Sequence, residues 1–129
     1  MENNKEKILL TGGAGFIGHH LVEGILKNTD WDIVVLDRLD ISGNLERLRD
    51  IEIWEKEKQR VKFIWWDLKS AVNSSISKEI GHIDFIWHLA ASSHVDRSIT
   101  DPLSFVMDNV VGTCNILNFA RQAEGLKLF

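Results

Sequence analysis

The chain has 129 residues, enough for one domain with a real core, and 44% hydrophobic with 26% charged residues is an ordinary globular balance. A net charge of −4 gives no electrostatic footprint for nucleic acid or an anionic membrane, and no apolar stretch approaches the roughly 20 residues that span a bilayer. The single cysteine, Cys114, excludes an internal disulfide framework, and the polar opening Met1-Glu2-Asn3-Asn4 lacks a signal-peptide core, so a cytoplasmic protein is expected.

Residues 7–11 read as a first strand, and Thr11-Gly12-Gly13-Ala14-Gly15-Phe16-Ile17-Gly18 follows at once. Residues 16–27 then carry apolar side chains at helical spacing. Glycine lets the backbone turn sharply and approach a diphosphate, and the helix start offers free N–H groups and a positive dipole end. A glycine triplet between a strand and a helix near the N-terminus therefore points to dinucleotide binding. The diphosphate is assigned to Gly12, Gly15, Phe16, Ile17 and Gly18.

Residues 32–36 form a β-branched run, a second strand closing at Asp37, 19 residues after Gly18. An acidic residue at this place accepts hydrogen bonds from the adenosine ribose and repels a 2′-phosphate, which favours NAD over NADP. Arg38 weakens that preference, because an arginine accommodates the phosphate. The bland reading makes Asp37 a simple strand-end turn residue. Residues 38–44 form a turn-rich loop. Leu45, Leu48 and Ile51 recur at helical spacing, and the charged stretch 54–60 reads as a solvated helix face.

A third strand covers residues 61–66 and closes at Asp67, followed by a short helix over 71–80. Asp67 has two readings. It accepts from an adenine amino group, with Leu68 beside it, or it caps the following helix. A fourth strand covers 84–89. Near-continuous apolar strands suit a parallel sheet covered on both faces. After it come Leu89, Ala90 and Ala91, small enough for a cofactor to lie against the backbone on the path toward a nicotinamide. His94, Asp96 and Arg97 place titratable groups beside that surface. His88 reads as a hydrogen-bonded core residue. The histidines and the cysteine show no metal-ligand spacing, and the tryptophans read as packing.

A last helix starts at Asp101-Pro102, an N-cap and a first-turn proline. Leu103, Val106, Val110, Leu117 and Ala120 mark one face, and Gly125 ends it. Gly112 costs about 1 kcal/mol relative to Ala in mid-helix, which suggests close approach of a backbone or ligand. Residues 127–129 look like the opening of a fifth strand. Right-handed crossovers give the strand order 3-2-1-4. The expected fold is α/β, a Rossmann-type parallel sheet with helices on both faces, truncated near strand five, with residues 1–129 as one NAD-binding domain.

These segments together resemble the extended short-chain dehydrogenase/reductase superfamily, the NAD-dependent epimerases and dehydratases of nucleotide sugars. Residues 11–18 are similar to its glycine fingerprint. Asp37-Arg38-Leu39 with Ser42-Gly43-Asn44-Leu45 is similar to its ribose-binding loop, and Asp67-Leu68 to its adenine contact. His88-Leu89-Ala90-Ala91 with Asn109-Val110-Val111-Gly112-Thr113 matches its fourth strand and following helix. Within it, Ser93-His94-Val95-Asp96-Arg97-Ser98-Ile99 is most similar to the 4,6-dehydratases, which commonly carry Glu where this chain has Ser92.

The resemblance implies NAD as cofactor and adds Leu39, Ser42, Gly43 and Ser93 to the cofactor-binding residues. It also implies oxidation of the sugar at C4 by NAD, with a tyrosine base helped by a lysine four residues on. The chain contains no tyrosine, so no catalytic residue is assigned. It reads as the NAD-binding portion of such an enzyme, not competent alone, with a nucleotide sugar bound only if a C-terminal half completes it. The alternative is a stand-alone NAD-binding module acting through a protein partner. An apolar edge strand over 84–89 invites pairing, so a homodimer or a complementing chain is expected. The resemblance implies dimer packing through the helix from residue 103.

Overall fold

Four parallel strands make the sheet in the computed structural model: β1 (Lys7–Thr11), β2 (Asp32–Asp37), β3 (Val61–Trp65) and β4 (Phe85–His88). β1 pairs with both β2 and β4, and β3 pairs with β2, which gives the order β3-β2-β1-β4 that the sequence predicts. The structure describes residues 5–129, so the polar opening at residues 1–4 lies outside the described residues.

Alternating residues of the inner strands fill two apolar layers. Ile8 and Leu10 of β1 with Ile33 and Val35 of β2 pack against Val22, Ile25 and Leu26 of α1 (Phe16–Asn28) and Leu48 of α2 (Glu46–Arg49). Leu9, Val34, Leu36 and Ile86 pack on the other face against Ile80 of α4 (Ser74–Ile80) and Ile116 and Phe119 of α7 (Gly112–Gln122). Each such side chain, taken fully out of water, stabilises the fold by about 1.5–3 kcal/mol. The sheet is therefore held from both sides, and its carboxyl-end loops are left to form a site. Among the described residues no helix is long and apolar enough to cross a membrane.

Several boundaries differ from expectation for identifiable reasons. The helix expected over 71–80 starts at Ser74, because the Asn73 side chain accepts from the Ile76 N–H at 2.9 Å and caps it there. The stretch 54–60 is only partly a solvated face. It forms α3 (Trp54–Glu57) and a 3₁₀ turn (Lys58–Arg60), and Arg60 points inward. Its guanidinium donates to the carbonyls of Leu26, Thr29 and Trp31 at 3.2, 2.8 and 2.7 Å, which gives the end of α1 partners it lacks within the helix.

The segment after β4 is also more helical than its sequence suggests. Residues 95–100 form α5 (Val95–Thr100), whose Val95 and Ile99 are exposed, so no buried face announced it. The helix expected from residue 101 is present in three joined pieces: α6 (Pro102–Val106), a π turn (Met107–Val111) and α7. Asp101 caps α6 as expected, but α7 ends at Gln122 with Ala123, not Gly125, as its C-cap. Gly112 is not explained by close approach. A Cβ there would meet Leu68 Cβ at 3.5 Å, an ordinary contact, and its φ of −58° suits any residue. Beyond it, Leu128 pairs with Phe85 in parallel and accepts from the Ile86 N–H at 3.0 Å, so part of the outer edge of β4 is covered.

Candidate functional site

The loop after β1 turns under tight steric control. Gly12 has φ +72°, and a Cβ on it would lie 2.8 Å from the Ala90 backbone nitrogen. A Cβ on Gly18 would lie 2.1 Å from the Gly12 carbonyl oxygen, so the first turn of α1 sits directly beneath the loop. Gly15 precedes α1 and offers no capping side chain, which leaves the leading N–H groups of that helix without a side-chain partner.

Asp37 closes β2 against this loop. One carboxylate oxygen accepts from the Ala14 N–H at 3.1 Å and the other from the Leu39 N–H at 2.9 Å. Leu39 takes a left-handed backbone, φ +54°, uncommon for a bulky side chain. Its N–H still reaches Asp37, so the carboxylate is held by backbone on both sides.

Ten of the residues predicted from sequence line one cleft, about 640 Å³ of space open to solvent across the carboxyl ends of the strands. They are Gly12 and Gly15 from the loop, Asp37, Ser42 and Gly43 after β2, Asp67 and Leu68 after β3, and Leu89, Ala90 and Ala91 after β4. The other five stand outside this lining. Phe16 and Ile17 project into solvent at the start of α1, and Gly18 is buried below them. Leu39 lies beside Asp37, and Ser93 is exposed beyond Ser92. Of the two readings of Asp67, the helix cap is set aside, since Asn73 caps α4. Asp67 instead accepts from the Lys69 N–H at 3.0 Å.

The β4 side of the cleft is built from side chains. Thr11, fully buried, bonds His88 Nδ1 at 2.6 Å while its hydroxyl oxygen accepts from the N–H groups of Leu89 and Ala90. His88 Nε2 meets the Thr113 hydroxyl at 3.0 Å, and that hydroxyl donates to the Asn109 carbonyl at 2.6 Å. This chain of donors assigns the imidazole as neutral, with its proton on Nε2. Burial moves its pKa the same way, below the ordinary value. His88 is thus the hydrogen-bonded histidine the sequence suggests.

Sequence reasoning missed Trp66, Lys69, Asp40 and Asp108, which also line the cleft. Asp108, on the π turn, receives Arg38 Nη1 at 2.5 Å, Arg38 Nη2 at 2.8 Å and the Ser92 hydroxyl at 2.6 Å. The guanidinium holds the Asp108 carboxyl below the usual carboxylate range. Asn109 clamps Ser92 on both sides: its side chain accepts from the Ser92 N–H at 2.8 Å and donates to the Ser92 carbonyl at 2.9 Å. Asp96 and Arg97 lie on α5, outside the cleft lining, but Arg97 lines an adjoining pocket that shares Arg38, Asp67, Lys69 and Asp108 with the cleft, and His94 precedes that helix.

A parallel sheet with this strand order, a glycine loop at the head of its first helix and an acidic residue closing β2 define a doubly wound nucleotide-binding fold. The chain belongs to the family described as GDP-mannose 4,6 dehydratase, whose model matches residues 9–128. Among curated relatives it is 46% identical over 116 residues to dTDP-glucose 4,6-dehydratase of Salmonella typhimurium, covering 90% of this chain and 31% of that protein. Among solved structures it is similar to the dTDP-glucose 4,6-dehydratase DesIV of Streptomyces venezuelae, determined with NAD bound. There the identity is 35%, the TM-score 0.81 and the coverage 95% of this chain and 38% of that one. It is also similar to the UDP-Glc/GlcNAc 4-epimerase of Campylobacter jejuni, with identity 35%, TM-score 0.79 and coverage 93% and 35%. The chain spans about a third of the length of the curated relatives it matches.

Proposed function

We propose that the cleft binds NAD and that the chain is the cofactor-holding part of a nucleotide-sugar 4,6-dehydratase or 4-epimerase. The observation that carries this reading is the Asp37 carboxylate, fixed by two backbone N–H groups beside the glycine loop and lining an open cleft. In the proposed pose the diphosphate lies over Gly12, Gly15, Phe16, Ile17 and Gly18. Asp37 takes the adenosine ribose, with Leu39, Ser42 and Gly43 around it, and Asp67 with Leu68 takes the adenine. Leu89, Ala90, Ala91 and Ser93 line the path to the nicotinamide. Bound NAD would supply the hydride acceptor for oxidation at a sugar carbon.

The residues of this chain bind and orient, because it has no tyrosine to act as the base that the family resemblance implies. Turnover of a nucleotide sugar is therefore proposed only together with a polypeptide segment carrying Tyr-x-x-x-Lys, in the same or a complementing chain. A second copy packing on the α6–α7 face is part of the same proposal, supported by the exposed Leu103, Val106, Val110 and Leu117. A cytoplasmic location is proposed on the single cysteine.

The test is a thermal melt with and without NAD. Ligand at a hundred times its dissociation constant adds about 2.7 kcal/mol, which for a domain of this size is roughly a 10 °C rise. A cooperative melt that NAD leaves unmoved at millimolar concentration contradicts the reading.

A further inference from the structure

Arg38 follows the ribose-binding Asp37 and lines the same cleft, where a free guanidinium would welcome a phosphate on the ribose. In this fold the guanidinium is not free. Its Nη1 and Nη2 are both taken by Asp108 in a forked pair, at 2.5 and 2.8 Å. Its Nη2 and Nε also donate to Asp40, at 2.8 and 3.2 Å. Asp67 stands 3.6 Å from Nη1. Three carboxylates therefore surround this guanidinium, and although Lys69 stands 3.4 Å from Asp67, the cluster of Arg38, Lys69, Asp40, Asp67 and Asp108 keeps a net negative charge. The forked pair is charge-assisted in both directions, and the Asp108 side chain is only 10% exposed, so water screens it little.

The pair also has a firm mount. Ser92 donates its hydroxyl to Asp108, while Asn109 holds the Ser92 backbone by two hydrogen bonds. The π turn thus sends two successive side chains, Asp108 and Asn109, to the loop after β4. Such a widened turn within a helix recurs at functional sites.

Resting on the reading of the cleft as an NAD site, we propose that Asp108 is a specificity-determining residue: by occupying Arg38, it makes the cleft reject a 2′-phosphate and so select NAD(H) over NADP(H). Asp40 has the same role to a smaller degree, because its side chain is 39% exposed and better screened.

The test measures the affinities of the full chain for NADH and NADPH by fluorescence titration and follows their ratio. Asp108→Asn removes the charge and keeps the shape, and it raises the NADPH-to-NADH affinity ratio at least fivefold. Asp40→Asn, a milder surface change that leaves the Asp108 mount intact, raises it about twofold on its own. Adding Arg38→Ala to Asp108→Asn removes the gain, which a merely structural role for Asp108 would not produce. Ratios within error of the wild type in both single variants overturn the inference while leaving the cleft as an NAD site. A wild-type chain that holds neither coenzyme overturns the reading of the cleft and this inference with it.

Discussion

The two walls of the cleft are made by different means. On the β1–α1–β2 side, backbone does the shaping: Gly12 turns at φ +72°, Gly18 lies under its carbonyl, and two main-chain N–H groups hold Asp37. Where β4 and the helices after it meet that side, side chains do it: Thr11 of β1 joins His88 and Thr113 in one relay, and Arg38 after β2 joins Asp108 and Ser92 in another. A wall made of backbone tolerates almost no added atom, because neither the loop nor the helix start can give. A wall made of side chains tolerates exchange of shape but answers to charge and protonation.

That contrast orders the expected effects. Gly18→Ala places a methyl carbon 2.1 Å from a carbonyl oxygen, so the loop or helix must move. We expect a loss of about 3 kcal/mol in chemical denaturation, at the upper end for overpacking. A loss under about 1 kcal/mol would show that this wall yields after all. Thr11→Val comes next. It keeps the volume but strips the buried hydroxyl, leaving the Ala90 N–H and His88 Nδ1 without it. The expected cost is about 2 kcal/mol, from buried groups left unsatisfied. A neutral result would mean the relay is ornamental.

Protonation probes the same wall. Burial holds the His88 pKa below its ordinary 6.5, so the unfolded chain takes up that proton at higher pH than the folded one. The stabilisation is complete above about pH 6.5 and is lost as pH falls through the lower, folded value. Denaturation at pH 7.5 and 5.5 should show wild type losing more stability than His88→Gln. Equal losses would place the pH response elsewhere. The smallest effect is a gain: Gly112→Ala fits the helical backbone and meets Leu68 at 3.5 Å. We expect it to raise stability by about 0.5–1 kcal/mol, and a loss would show that the π turn needs a glycine.

The backbone wall was the legible one. Gly12 and Gly18 leave a mark in the sequence because no other residue fits there, and apolar runs ending at Asp37 and Asp67 mark strand ends directly. The side-chain wall leaves no such mark. Arg38 and Asp108 are 70 positions apart, and neither residue signals the other. The π turn has no periodicity of its own, and α5 is exposed, so neither disturbs the helical pattern in a way that can be read. Thr11 and His88 were both visible, but only the parallel register of β1 with β4 puts them opposite each other.

The central claim is that Asp37 holds the adenosine ribose of NAD in this cleft. Isothermal titration of NAD into the wild-type chain and into Asp37→Ala tests it most directly. The account predicts saturable binding by the wild type, weakened at least tenfold in the variant, which is about 1.4 kcal/mol. Equal dissociation constants for the two chains would contradict it and remove Asp37 from the site.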